Sequence, residues 1–366
     1  MLEIIFVIGA RPNFMKVAPL LRALAHVPVK ARLVHTGQHY DAQMSEVFLR
    51  QLGIPEPDVH LGVGSGTHAF QTARVLEGFE TYLLGLQERP AGVIVVGDVN
   101  STLACALVAA KLNIPVAHIE AGLRSFDRSM PEEVNRIMTD AISDLLFVSE
   151  PSGVANLQSE GVAPSKINFA GNVMIDTLVC ELPKAKRTNI HEVLQIESGR
   201  YAVATIHRPC NVDTVEKLGT LAEFILSTSK RLTVVFPVHP RTRARLEDAN
   251  LMCRVQKCNG VRLLEPLGYH ENLALLSAAK LVLTDSGGIQ EETSYMRVPC
   301  LTLRPNTERP VTVTHGTNTV VGDDLERATA LVTDILQGCY KSGSEIPMWD
   351  GRASERIASV VVAAWV

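Results

Sequence analysis

Short apolar runs rich in β-branched residues alternate along this chain with stretches whose apolar positions recur at helical spacing. Residues 4–8, 31–35, 92–96, 116–119 and 145–148 predict strands, and residues 14–25, 42–52, 67–87 and 101–112 predict helices between them. A second series places strands over 201–205, 232–237, 261–264, 281–284 and 298–303. The strand segments are almost continuously apolar, as strands covered on both faces are. Such alternation predicts βαβ units and parallel sheets. The expected fold class is therefore α/β, with two Rossmann-like doubly wound domains facing a central cleft, where ligands of such folds bind.

The expected boundary lies near Gly171, giving an N-terminal domain over 1–171 and a C-terminal domain over 172–350. A polar helical stretch over 181–199 reads as the crossing. The last helix, within 351–366, has no strand after it and can pack back on the first domain or cap the second. A chain of 366 residues suits two cores better than one.

Composition narrows the partners. Thirty-five basic against 39 acidic residues give a net charge of −4, which makes no case for nucleic acid or an anionic membrane. The seven cysteines are odd in number and scattered, and no Cys-x-x-Cys occurs, so neither a disulfide framework nor a zinc site is supported. No apolar run approaches a membrane-spanning length, and a strand begins at once without a basic leader. The expectation is a cytoplasmic protein with no membrane partner.

Candidate chemistry gathers at the carboxyl ends of the predicted strands. Thr284-Asp285-Ser286-Gly287-Gly288-Ile289-Gln290-Glu291-Glu292 follows an apolar run and opens a helix. Small residues there let backbone N–H groups reach an anion at the positive helix end. Glu292, one turn in, can face a hydroxylated group such as a ribose, so the stretch reads as a nucleotide pocket; the plain alternative is a βα turn with a Ser cap. Arg11 and Lys16 put two cations near the start of the first helix, where they oppose the dipole unless an anionic ligand balances them.

Asp98, after the strand over 92–96, is either a helix cap or a functional carboxylate. Glu120 ends another strand, ahead of Gly122 and Arg124. In Pro131-Glu132-Glu133-Val134-Asn135-Arg136 one acid must face inward, and Glu132 and Arg136 have the i, i+4 spacing of a pair. His207-Arg208 at a strand end reads as recognition or acid/base chemistry, and His239 repeats the pattern one strand later. Arg309 can clamp a phosphate bidentately. Gly62-Val63-Gly64-Ser65-Gly66 lacks the third glycine of a dinucleotide fingerprint, and neither a P-loop nor a Gly-x-Ser-x-Gly elbow occurs.

Taken in order, Gly-x-Arg-Pro, Gly97-Asp98, Glu120-Ala121-Gly122-Leu123-Arg124, the Pro131–Arg136 run, His207-Arg208 and the 284–292 block resemble the non-hydrolysing UDP-N-acetylglucosamine 2-epimerases. Members of that family look like GT-B glycosyltransferases and commonly form dimers. The resemblance implies reversible interconversion of UDP-GlcNAc and UDP-ManNAc, with no cofactor and no metal. The C2 hydrogen is not next to a carbonyl and no NAD site is visible, so the route left is elimination of UDP to 2-acetamidoglucal and re-addition. By the family's pattern Asp98, Glu120 and Glu132 match the catalytic carboxylates, and His207 a catalytic or phosphate-contacting histidine. Arg11, Lys16 and Arg136 match cations near the diphosphate or the carboxylates; His239, Ser286, Gly287, Gly288, Glu292 and Arg309 match UDP contacts.

Gln38-His39-Tyr40-Asp41 and the residues after His207-Arg208 depart from the pattern that borders a second, activating UDP-GlcNAc in relatives. The expectation is that such activation is not kept, and the same changes leave room for a related substrate such as a UDP-2,3-diacetamido sugar. The competing readings are a GT-B glycosyltransferase, which needs an acceptor groove, a hydrolysing relative and a silent sugar-nucleotide sensor.

Overall fold

In the computed structural model the chain forms two α/β units, the first running to Cys180 and taking up Pro347–Val366, the second spanning Glu181–Ile346. The structure describes residues 2–38 and 48–366, with Arg11 described by its backbone alone.

The first unit is built on strands β1 (Leu2–Ile8), β2 (Val29–His35), β3 (Val59–His60), β4 (Gly92–Val96), β5 (Val116–Ala121), β6 (Leu145–Val148) and β7 (Ile167–Phe169). They lie in the order β3-β2-β1-β4-β5-β6-β7, and every pair is parallel. Ile4, Ile5, Phe6, Val7 and Ile8 are consecutive and all buried, so both faces of β1 are covered. Each such fully buried side chain contributes about 1.5–3 kcal/mol.

The direction of strand addition reverses between β1 and β4, and in this sheet type ligands bind beyond the carboxyl ends at that switch point. Two helices start there. Helix α1 (Arg11–Leu24) carries Pro12 in its first turn, where no N–H is missed, and the Asn13 side chain accepts the N–H groups of Gly9 and Ala10 at 2.9 Å each. The Asn13 amide also donates to the Val96 carbonyl, tying the start of α1 to the end of β4. The helix Asn100–Lys111 follows β4.

The final helix, Ala353–Trp365, belongs to the first unit. Asp176 caps it by accepting the N–H groups of Ala353 at 3.0 Å and Ser354 at 2.6 Å. Burial pushes the Asp176 carboxyl up against those hydrogen bonds.

The second unit repeats the plan. Its strands are β8 (Tyr201–Thr205), β9 (Thr233–Pro237), β10 (Val261–Leu264), β11 (Leu281–Thr284), β12 (Cys300–Thr302) and β13 (Asn318–Val320), in the parallel order β10-β9-β8-β11-β12-β13. The switch point falls between β8 and β11. Ala202, Ala204, Phe236, Leu281 and Leu283 pack in one cluster with Leu218, Phe224 and Ile225 of the helix Val215–Ser229.

The three short edge strands β3, β7 and β13 were not expected from the hydrophobic pattern. The stretch after Gly171 opens with the helix Val173–Ala185, whose Val173, Met174, Ile175 and Leu178 are buried. Among the described residues no helix is long and apolar enough to cross a membrane.

Candidate active site

In the first unit the candidate residues meet at the β1/β4 switch point. Lys16, on the second turn of α1, is buried and bonded to the buried carboxylate of Glu120. Glu120 sits at a register shift in β5 with φ of 75°, a left-handed conformation costly for a residue with a Cβ. Gly97 follows β4 with φ of 68°, and a Cβ there would lie 2.8 Å from Lys16 Nζ and 3.5 Å from Glu120 Oε2. Glycine at 97 thus serves both the turn and the ion pair beside it.

The Asp98 carboxylate does not cap the helix that follows, whose N-cap position is Val99. It meets Arg136 Nη1 at 2.5 Å instead. Arg136 is buried and also donates to Glu133 Oε2, at 3.0 Å from Nε and 2.7 Å from Nη2. The inward acid of the Pro131–Ile142 helix is thus Glu133, at i, i+3 from Arg136, where Glu132 had been the expected partner. Glu133 holds the Ser125 and Phe126 N–H groups at 2.9 Å each. Burial alone would raise its carboxyl; these N–H groups and the guanidinium outweigh it and keep Glu133 below the usual carboxylate range. Glu132 is half-buried, and its carboxylate makes no hydrogen bond or ion pair among the described residues. Arg11 opens α1. His39, Tyr40 and Asp41 lie outside the described residues.

In the second unit the β8/β11 switch point gathers the rest. Asp285 is fully buried and accepts the N–H of His207 at 3.0 and 3.1 Å, the N–H of Arg208 at 2.8 Å and Asn211 Nδ2 at 3.0 Å. His207 Nδ1 stands 3.0 Å from Asp285 Oδ1. A carboxylate only accepts, so Nδ1 donates and a neutral His207 ring presents a lone pair at Nε2. Burial raises the Asp285 carboxyl, but its contacts with His207, Arg208 and Asn211 prevail and lower it overall. The His239 ring lies 5.3 Å from that of His207, and its Nδ1 accepts the Arg241 N–H, leaving the hydrogen on Nε2.

Ser286 is the N-cap residue of the helix Gly287–Met296, yet its side chain makes no capping bond. The first-turn N–H groups of Gly287 and Gly288 therefore stand at a positive helix end without a side-chain cap. A Cβ on Gly287 would come within 2.6 Å of Glu308 Oε1 and 2.9 Å of Arg309 Nη1. Arg309 is buried against Glu291 (Nε to Oε1, 2.6 Å) and Glu308 (Nη1 to Oε1, 2.5 Å). Glu292 is buried and accepts the Tyr269 hydroxyl at 3.1 Å.

Asp285, Asn211, Tyr269 and Glu133 are polar residues at these sites that sequence reasoning did not single out. Asp285 stood within the 284–292 block, and its position directly after a strand was the available signal. Among the described residues no group of three or more His, Cys, Asp or Glu side chains is placed to hold a metal ion.

Each constellation suits part of one chemistry. The second unit offers an uncapped helix start, a buried carboxylate one turn in and an Asp-oriented histidine, a set suited to a nucleoside diphosphate. The first offers four carboxylates in different surroundings, Glu120, Asp98 and Glu133 tied to cations and Glu132 without an ion pair among the described residues, a set suited to moving protons.

Comparison with known proteins agrees. The model of a family described as UDP-N-acetylglucosamine 2-epimerase matches residues 22–362. The UDP-N-acetylglucosamine 2-epimerase of Methanocaldococcus jannaschii is 40% identical over 98% of this chain and 99% of its own. The UDP-2,3-diacetamido-2,3-dideoxy-D-glucuronate 2-epimerase of Pseudomonas aeruginosa is 41% identical over 98% of each chain. The crystal structure of the M. jannaschii enzyme in complex with UDP-GlcNAc and UDP superposes with a TM-score of 0.92 at 40% identity, covering 99% of this chain and 100% of that one. The Neisseria meningitidis enzyme bound to UDP-GlcNAc gives 0.89 at 30% identity with the same coverage. With its family model spanning nearly the whole sequence and its relatives matched along almost their full length, this chain belongs to the UDP-N-acetylglucosamine 2-epimerase family of isomerases.

Proposed function

We propose that the protein interconverts UDP-GlcNAc and UDP-ManNAc by eliminating UDP to 2-acetamidoglucal and adding it back. The observation that carries this reading is the pair of switch-point constellations, one fit to hold a diphosphate and one fit to move protons. In the proposal Ser286, Gly287, Gly288, His239 and Arg309 hold UDP, Glu292 takes the ribose hydroxyls, and His207 meets the diphosphate or the departing oxygen. Asp98, Glu120 and Glu132 share the removal and return of the C2 proton, supported by Lys16, Arg136 and Arg11. The leaving group takes the C1–O electron pair, and the C2–H pair becomes the C1–C2 double bond. Reprotonation from the opposite face then gives the epimer.

A second substrate is favoured by one finding: the relative named for a UDP-2,3-diacetamido uronate is as similar to this chain as the one named for UDP-GlcNAc. We carry it as the alternative sugar for the same chemistry. Homodimer formation and a cytoplasmic location belong to the same proposal. The test offers each UDP-sugar separately to the purified protein and resolves products by ion-pair chromatography with mass detection. A new isobaric UDP-sugar from UDP-GlcNAc supports the first reading. Conversion of the diacetamido uronate alone selects the second, and release of free sugar contradicts both.

A further inference from the structure

A buried polar chain lies behind the first-unit carboxylates. His118, in β5, is fully buried, as are Asp140 on the Pro131–Ile142 helix and Arg124. His118 Nε2 is 2.8 Å from the Gly97 carbonyl oxygen, and Nδ1 is 2.6 Å from Asp140 Oδ1. The other Asp140 oxygen accepts the Gly122 N–H at 3.0 Å and meets Arg124 Nη1 at 2.7 Å. Burial raises the Asp140 carboxyl, and its contacts with His118 and Arg124 more than offset that, so it is held as an anion. The Gly97 carbonyl and the Asp140 carboxylate only accept, so both His118 ring nitrogens carry a hydrogen in these contacts, Nε2 donating to Gly97 and Nδ1 to Asp140.

The two backbone groups held at the ends of this chain belong to the turns that carry the candidate acid/base residues. The Gly97 carbonyl is half of the peptide unit that leads into Asp98, so its direction sets where the Asp98 side chain departs. Gly122 N–H lies just past the register shift that gives Glu120 its left-handed backbone. Neither turn conformation is intrinsically favoured at these positions: Glu120 has a costly φ, and Gly97 has the most permissive backbone of any residue. A well-packed apolar pair in place of a buried ionic one is often neutral or stabilising, so fold stability alone does not call for this arrangement.

We infer that His118 and Asp140 are positioning residues, a buried dyad that fixes the Gly97–Asp98 turn and the Glu120 bulge and thereby aims both carboxylates. This rests on the epimerase reading for what the carboxylates do, but the claim about the turns stands on geometry alone. A misplacement of a reacting group by about 1 Å costs on the order of 100-fold in rate.

Side-chain length separates the dyad's two contacts. Glutamine at 118 can place its amide nitrogen near the imidazole Nε2 position and keep the bond to Gly97. Asparagine reaches only as far as Nδ1, keeping Asp140 and losing Gly97. In His118→Asn we expect C2 hydrogen exchange in D2O, measured with UDP-GlcNAc, to fall about 100-fold in kcat with KM and UDP affinity within about twofold. His118→Gln should recover most of that loss. A purely structural role predicts something else: both variants follow their thermal stability, with no rescue specific to glutamine. Wild-type kcat in folded His118→Asn overturns the proposal.

If His118→Asn does not fold, Asp140→Asn carries the test. It keeps an acceptor for Gly122 but loosens the ring, and unchanged exchange there also overturns the proposal. A crystal structure of Asp140→Asn separates the two claims. If the wild-type protein exchanges no C2 hydrogen, the epimerase reading fails. The positioning claim then stands if the Asp140→Asn turns at 97–98 and 120–122 are displaced, and falls if they are unmoved.

Discussion

Asp285 and His207 stand 78 residues apart in sequence and meet twice: the carboxylate accepts the His207 backbone N–H and faces its Nδ1 at 3.0 Å. One buried acid therefore sets both the backbone and the ring of the histidine at the β8/β11 switch point. In Asp285→Asn the ring loses the acceptor that fixes its tautomer. We expect C2 exchange to fall about 100-fold or more, as for loss of a general acid/base group. NMR of the His207 ring nitrogens checks the cause: Nε2 and Nδ1 tautomers mix in the variant and do not in the wild type.

The same acid predicts a pH dependence of stability. Its carboxyl is lowered in the folded protein, so its contribution is present above the ordinary aspartate range and is lost as pH falls through the still lower folded value. Urea unfolding at pH 7 should show Asp285→Asn destabilised by about 3 kcal/mol, because donors are left with a poorer buried acceptor. The gap between variant and wild type should narrow only below the usual carboxylate range. A constant gap down to pH 3 contradicts the prediction.

Arg136 ties the part-exposed Asp98 to the buried Glu133. Arg136→Met leaves Glu133 buried without its cation and should cost about 3–5 kcal/mol in chemical unfolding. Arg136→Lys keeps the charge but not the forked contact; it should retain most of the stability and lose activity through Asp98. Wild-type activity in Arg136→Lys would show that the fork is irrelevant, and equal losses of stability in the two variants would contradict the part assigned to the charge.

Gly287→Ala tests the helix start. The added methyl must displace Glu308 Oε1 or Arg309 Nη1, both inside 3 Å and both buried. We expect UDP binding, followed by calorimetry, to weaken about tenfold or more, with thermal stability reduced by about 1–3 kcal/mol from overpacking. Wild-type UDP affinity in a folded variant would remove this helix start from the site.

Much of the fold was legible because buried parallel strands write themselves as unbroken apolar runs. Tyr201–Thr205, Val261–Leu264 and Leu281–Thr284 lie where those runs end. The edge strands Val59–His60, Ile167–Phe169 and Asn318–Val320 are too short to show any period and half-open to solvent. The site was legible as strand-end motifs, since the fold puts ligands there. What the sequence could not show is which buried partner each side chain takes. Lys16 finds Glu120 across 104 positions and Arg136 takes Asp98 across 38, pairings made by sheet order. The choice between Glu132 and Glu133 as inward acid turned on one residue of helix phase, finer than the apolar pattern resolves.

The central claim is that acid/base groups of this chain remove and return the hydrogen at C2. Incubation with UDP-GlcNAc in D2O, followed by proton NMR, tests it most directly. The account predicts loss of the C2 proton signal from the UDP-sugar pool and growth of a second UDP-sugar, both abolished in Asp98→Asn and Glu132→Gln while UDP still binds. Epimer formation with the C2 proton retained, or undiminished exchange in both variants, would contradict it.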